Sequence, residues 1–139
     1  MLYGTYYHSI DAKGRLFIPA RLRDELGDKF FITISTEKCL MIYSSERWEN
    51  ATEKLKALPQ TAQMELRGIF SNAAECEPDS QGRIQLRKEL REFVGLTKNV
   101  TIVGTGVYVQ IWDSDTYKPI ADEETKPENL KSVLEKYDF

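Results

Sequence analysis

At 139 residues the chain can form one compact domain or two very small halves sharing a core, and its 41% hydrophobic and 11% aromatic content excludes global disorder. A net charge of −3 argues against a protein that coats nucleic acid indiscriminately, yet the balance is uneven: residues 113–139 carry eight acids and four lysines, leaving +1 on residues 1–112. No stretch approaches the roughly 20 apolar residues of a membrane span, and the N-terminal run has no basic segment leading into an apolar one, so cytoplasm is the expected compartment.

In chain order, residues 4–10 read as an extended segment running into Asp11-Ala-Lys-Gly-Arg15. Gly14 supplies the positive φ of a tight hairpin turn, and Asp11 can accept from backbone N–H groups at its start. A short strand at 16–18 follows. Pro19 suits the first turn of a helix through Leu26, and Gly27 its left-handed end. Residues 30–34 and 40–43 are β-rich runs, and Ser44 stands where a helix N-cap belongs, with Glu46 in the first turn. Residues 48–70 read as two helices broken near Pro59, with packing faces from Leu55, Leu58, Met64 and Leu66 to Phe70.

The pattern then begins again. Residues 74–78 run into Asp79-Ser-Gln-Gly-Arg83, where Gly82 takes the place of Gly14. A strand at 84–86 follows, then a helix from Arg87 to Val94 before Gly95. Two further β runs, 100–103 and 107–112, are linked by Gly104-Thr105-Gly106, good hairpin chemistry, and Asp113 occupies the N-cap position, with Asp115 behind it. At the end, Leu130, Val133, Leu134 and Tyr137 repeat at helical spacing. That is an amphipathic helix expected to dock or bridge subunits rather than lie on a membrane, since Lys131 and Lys136 are too few for a basic face.

A shift of 68 positions makes the duplication explicit. Asp11–Arg15 falls on Asp79–Arg83, Leu16 on Ile84, Ile18 on Leu86, Leu22 on Leu90 and Gly27 on Gly95; Ile32 then meets Val100 and Ile34 meets Ile102. One extra residue in the second copy brings 42–48 onto 111–117. The chain therefore divides into a module at 5–47, a helical connector at 48–73, a second module at 74–117 and an acidic, amphipathic helical tail at 118–139. A module of about 45 residues buries too little alone and leaves strand edges unpaired. The expected fold is α+β and β-rich: two pseudo-symmetric modules completing one β-barrel or sandwich with helices outside.

The catalytic inventory is thin. His8 is the one histidine and sits in the first strand, which suits a structural or solvent-facing role. Cys39 and Cys76 are too far apart for a metal knuckle and are expected as reduced thiols in or near the core; Cys39 has no evident basic activator. No nucleophile elbow, phosphate loop or dinucleotide fingerprint is present. Neither an enzyme, nor a metal, nor a cofactor is expected.

The repeated Asp-x-x-Gly-Arg turn differs from this background. Once, it would be an exposed ion pair of little consequence. Twice, at equivalent points, it offers Arg15 and Arg83 held by Asp11 and Asp79 through charge-assisted bonds, beside Lys13 and Gln81. An oriented arginine can contact phosphate or read guanine with two parallel bonds; Lys13 adds a phosphate contact, and Gln81 a contact to a base edge or phosphate.

The whole chain resembles the MraZ family, whose modules are similar to the swapped-hairpin barrel of AbrB-type regulators. The resemblance rests on Asp11-Ala-Lys-Gly-Arg15-Leu-Phe-Ile-Pro19, Asp79-Ser-Gln-Gly-Arg83, Val103-Gly104 and Ile111-Trp112-Asp113. It implies a nucleoid-associated transcriptional regulator binding double-stranded DNA at direct repeats in the promoter of its own division and cell-wall gene cluster. It also implies a ring-shaped homo-oligomer, with Asp11, Arg15, Asp79 and Arg83 on the DNA-binding surface. The second copy departs from the first, with Leu86-Arg87 for Ile18-Pro19 and Gln81 for Lys13, which favours the first turn as the stronger DNA contact. The alternatives are a protein-interaction scaffold, predicting salt-insensitive partner binding, and an enzyme on a related barrel, predicting a deep pocket of convergent polar groups.

Overall fold

The computed structural model describes residues 1–139. The elements in order are β1 (Leu2–Ser9), β2 (Arg15–Phe17), α1 (Ala20–Leu26), β3 (Phe30–Ile34), β4 (Leu40–Ser44), α2 (Ser45–Lys56), α3 (Gln60–Glu65), α4 (Arg67–Ser71), β5 (Ala74–Cys76), β6 (Arg83–Gln85), α5 (Lys88–Phe93), β7 (Asn99–Gly106), β8 (Val109–Asp113), α6 (Ser114–Glu124) and α7 (Pro127–Lys136). None of the helices is long and apolar enough to cross a membrane.

Six strands form one sheet in the order β1-β7-β8-β4-β3-β5, and β2 and β6 form a separate ribbon. The order is a palindrome of the duplication. Each copy's first strand leaves its own copy and pairs with the third strand of the other, β1 with β7 and β5 with β3. The ribbon, too, is one strand from each copy. A pseudo-twofold axis passes through the Met41–Gln110 pair, since Leu40 faces Ile111 and Ile42 faces Val109 on either side of it. A second crossing lies at the Leu16–Ile84 pair of the ribbon.

Alternation along the strands sorts the two faces of the sheet. Phe30, Ile32, Leu40, Ile42, Val100, Ile102, Val109 and Ile111 point to one side and join Leu16, Ile18 and Ile84 of the ribbon region, Leu22 and Leu26 of α1 and Leu90 of α5 in a single buried cluster. The other face is covered by helices. Trp48 of α2 stacks on Phe31 at 5.3 Å and meets Phe70 at 5.2 Å, while buried Trp112 packs against Tyr117 of α6 at 5.2 Å. The Thr33 hydroxyl donates to the Ile69 carbonyl at 2.6 Å, tying α4 to this face.

No closed barrel is found: β1 and β5 stand at the edges of the six-stranded sheet, with no ladder joining them. The ribbon strands are three residues each and pair with one another, each following an edge strand of the sheet through its turn.

Other expectations change in detail. Pro19 precedes the first helical residue, and the connector holds three helices because the chain turns again at Leu66. Met64 and Leu66 of the connector are exposed. Ser44 caps α2, accepting from the Arg47 N–H at 3.3 Å, but the buried carboxylate of Asp113 does not cap α6. It accepts from the Thr97 N–H and hydroxyl at 3.1 and 2.8 Å. The Leu130, Val133, Leu134 and Tyr137 face of α7 is exposed rather than docked on its own chain.

The repeat register also shifts. Val100 occupies the place of Phe30, each pairing with the first strand of the other copy at matched positions, His8 and Cys76. The 68-residue offset of the turns therefore becomes 70 in β3 and β7, then 69 in β4 and β8, with two extra residues ahead of β7. Sliding a strand by two leaves its alternation unchanged, so pairing Ile32 with Val100 satisfied the pattern equally well.

Gly104 and Gly106 lie within β7, and the hairpin turns at Val107 and Tyr108. A Cβ on Gly104 would stand 2.6–2.7 Å from the Tyr3 backbone, so β1 approaches here as only glycine permits. Gly104→Ala should therefore cost about 1–3 kcal/mol in urea unfolding by overpacking. Gly68→Ala, in a helix with open space around it, should be neutral or stabilising. Equal effects of the two would overturn the close-approach reading.

Candidate nucleic-acid interface

The two Asp-x-x-Gly-Arg turns have one geometry. In the first, Asp11 Oδ1 accepts from the N–H groups of Lys13 and Arg15, both at 2.9 Å, and Oδ2 accepts from Arg15 Nε at 2.7 Å. In the second, Asp79 Oδ1 accepts from Gln81 and Arg83 N–H at 2.9 and 3.0 Å, and Oδ2 from Arg83 Nε at 3.0 Å. The Gly14 and Gly82 N–H groups close the turns onto the Asp11 and Asp79 carbonyls, and both glycines have φ of +78°. One carboxylate thus fixes both the turn and the arginine that follows it.

These bonds act on the charged carboxylate. Donation from the Arg15 backbone N–H, aided by its guanidinium and the Lys13 N–H, outweighs partial desolvation and holds Asp11 below the ordinary 3.8. Asp79 is lowered in the same way, first by the Arg83 N–H. Each guanidinium spends Nε on its aspartate and leaves its two terminal nitrogens without a partner in the chain.

The ribbon carries the arginines from the turns to a common face. Leu16 and Ile84 point into the core; Arg15 and Gln85, Phe17 and Arg83 therefore point outward as successive pairs. Arg15 and Arg83 are diagonal neighbours, a separation of about 7–8 Å. The turns themselves stand at opposite ends of the ribbon, joined to it by Leu86 N–H donating to the Gly14 carbonyl and Ile18 N–H to the Gly82 carbonyl, both at 2.9 Å. Gln85 Nε2 donates to the Lys13 carbonyl at 2.7 Å, while the Lys13 and Gln81 side chains are exposed at the turn tips. His8 packs against Phe17 at 5.1 Å, in keeping with its structural reading.

Two further arginines belong to this surface and were not among the expected site residues. Arg23 Nε donates to the Ile18 carbonyl at 2.7 Å and Arg91 Nε to the Leu86 carbonyl at 3.1 Å. Each lies beside the turn glycine of the other copy: a Cβ on Gly82 would meet Arg23 Cζ at 2.7 Å, and one on Gly14 would meet Arg91 Nη2 at 3.3 Å. Their signal was in the sequence, for they too are 68 residues apart.

Nothing comparable gathers elsewhere. No group of three or more His, Cys, Asp or Glu could hold a metal ion. Cys39 and Cys76 are buried free thiols; burial raises both, Cys76 to about 12, which leaves them inert.

A duplicated β-rich chain whose halves exchange strands to build an arginine-bearing ribbon defines a two-repeat, ribbon-presenting class of protein. The family described as MraZ protein, putative antitoxin-like, matches twice, over residues 1–67 and 69–135. The chain is 48% identical over 120 residues to the transcriptional regulator MraZ of Carboxydothermus hydrogenoformans, with 84% of each chain covered. It is 42% identical to that of Acetivibrio thermocellus and 45% to that of Heliobacterium modesticaldum, each over 139 residues covering 98% of this chain and 96% of the relative. The chain belongs to the MraZ family.

The turn geometry sets a pH signature. Because the folded carboxyls lie below their ordinary value, the stability they contribute is present above that value and is lost as pH falls through the lowered folded one. Carbon-detected NMR titration should place the midpoints of Asp11 and Asp79 below 3.8, with Asp11→Asn removing the contribution of its turn. Ordinary midpoints at both would show that the carboxylates do not clamp the turns.

Proposed function

We propose that this chain is a sequence-specific, DNA-binding transcriptional regulator, not an enzyme, acting in the cytoplasm in association with the nucleoid. In this reading it binds double-stranded DNA at direct repeats in the promoter of its own division and cell-wall gene cluster, as a ring-shaped homo-oligomer. Modules 5–47 and 74–117 act together as one DNA-binding unit of AbrB-like type, followed by the tail at 118–139.

The observation that carries the proposal is the outward face of the β2–β6 ribbon, where Arg15 and Arg83 lie side by side with their Nε atoms clamped by Asp11 and Asp79. The major groove of B-DNA admits a two-stranded ribbon, and an arginine with free terminal nitrogens matches the paired acceptors of guanine. Lys13 at the turn tip suits a phosphate, and Gln81 a base edge or phosphate. The relatives' designation as transcriptional regulators supports this reading. A single subunit neutralises few phosphates, so useful affinity calls for several subunits on consecutive repeats, linked by effective concentration. The exposed Leu130, Val133, Leu134 and Tyr137 face is the natural candidate for that contact.

The test is fluorescence anisotropy on a duplex from the chain's own upstream region and on a scrambled duplex, across a salt series. Arg15→Ala should cost about 1–3 kcal/mol per engaged site on the promoter duplex and relax preference at one base position. Lys13→Ala should weaken both duplexes alike and lower the salt slope by about one unit. An Arg15→Ala chain that remains folded and binds its promoter like the wild type would sink the assignment.

A further inference from the structure

We infer that the two ends of the ribbon are unequal toward DNA: the chain docks through the Asp11–Arg15 turn, while an acidic flank around the Asp79–Arg83 turn keeps phosphates from the other end. The inference rests on the DNA-binding reading and adds a polarity to it.

The pseudo-twofold axis allows the two ends to be compared position by position. Near the turns, Asp11 matches Asp79, Arg15 matches Arg83, Arg91 matches Arg23 and Glu92 matches Asp24, so these charges cancel in the comparison. Four exposed positions differ in charge. Ser9 stands where the second flank has Glu77, and Lys13 where it has Gln81. Under the strand register that matches Phe30 with Val100, Lys98 stands where the second flank has Asp28, and Asn99 where it has Lys29. The first flank thus holds four cations and two carboxylates, and the second three cations and four carboxylates, or net +2 against −1.

The groups are local to the turns. Asp24, Asp28, Glu77 and Asp79 line one open hollow with Arg23 and Pro78. At the other end, the Lys98 carbonyl accepts from the Ile10 N–H at 2.9 Å, immediately before Asp11. Three-residue strands hold the turns about 10 Å or more apart, roughly a Debye length at physiological salt. A phosphate backbone therefore meets the ends as separate fields, one attractive and one repulsive.

A twofold unit with equal ends would settle on DNA in either direction. Unequal ends select one direction, which is what a head-to-tail array of sites requires. Arg83 still faces the groove, but its reach to DNA is opposed by its own surroundings.

The experiment compares Arg15→Ala and Arg83→Ala in two backgrounds, the natural chain and one carrying Asp28→Lys, Glu77→Ser and Gln81→Lys, on the own-promoter duplex. In the natural chain Arg15→Ala should weaken binding by about tenfold or more and Arg83→Ala by less than about threefold. In the exchanged background affinity should rise, the salt slope should steepen by about one to two units, and Arg83→Ala should become as damaging as Arg15→Ala. All exchanged side chains are exposed, and urea melts verify that each variant is folded. As an orientation readout, an iron chelate on Ala12→Cys should cut the duplex more strongly than one on Ser80→Cys. Equal losses from the two arginines in the natural chain, an unchanged salt slope after the exchange, or equal cutting from both tips would overturn the polarity alone. Arg15→Ala and Arg83→Ala both binding like the natural chain would bring down the DNA-binding reading with it.

Discussion

The exchange of first strands between the two copies is the constraint on which the rest of the structure depends. Neither copy can complete its own part of the sheet, because β1 pairs with β7 and β5 with β3. A half of about 45 residues also buries too little surface to hold itself together. The result is one core of 20 buried residues drawn from both copies. The ribbon follows from the same exchange, since β2 has no partner except β6. The arginine face is therefore a property of the joined halves, and each turn is anchored by a backbone bond from the other copy's strand end, Leu86 to Gly14 and Ile18 to Gly82.

Much of this was legible in the sequence because duplication prints the same local chemistry twice. The positive-φ glycines of the turns, the Ser44 cap and the 30–34 strand follow from residue types that admit few alternatives. Whether the sheet closes was not legible, because alternation says which face a residue occupies and not whether the edges meet. The register was hidden for a related reason: a two-residue slip conserves every inward and outward position. Gly104 misled for a third. Its sequence neighbours suggest a turn, but the need for glycine comes from Tyr3, a hundred residues away on the adjoining strand.

The candidate site divides along the same line. Asp11, Arg15, Asp79 and Arg83 interact within five residues, so their pairing could be read directly. Arg23 and Arg91 act across the copy boundary. In sequence they are unremarkable helix-surface residues, and only the exchange sets each against the opposite glycine. The correspondence of Lys98 with Asp28 lay out of reach until the register was known, since a constant offset of 68 sets Leu96 opposite Asp28.

That hidden correspondence bears on how a symmetric fold can carry a directional function. Inside the molecule the two copies must stay matched, because Leu16 meets Ile84 and Ile42 meets Val109 across the axis, and a volume change at any of them disturbs a close-packed core. Exposed positions carry no such obligation, and substitutions there usually change stability by no more than about 0.5 kcal/mol. Charge at Ser9, Lys13, Lys98 and Asn99 and at their counterparts Glu77, Gln81, Asp28 and Lys29 is thus nearly free to diverge as far as folding is concerned. It is not free with respect to a polyanion, whose binding varies with every phosphate neutralised. Symmetry can therefore be broken most cheaply on the surface beside the turns, and that is where the two copies of this chain differ in charge by three units.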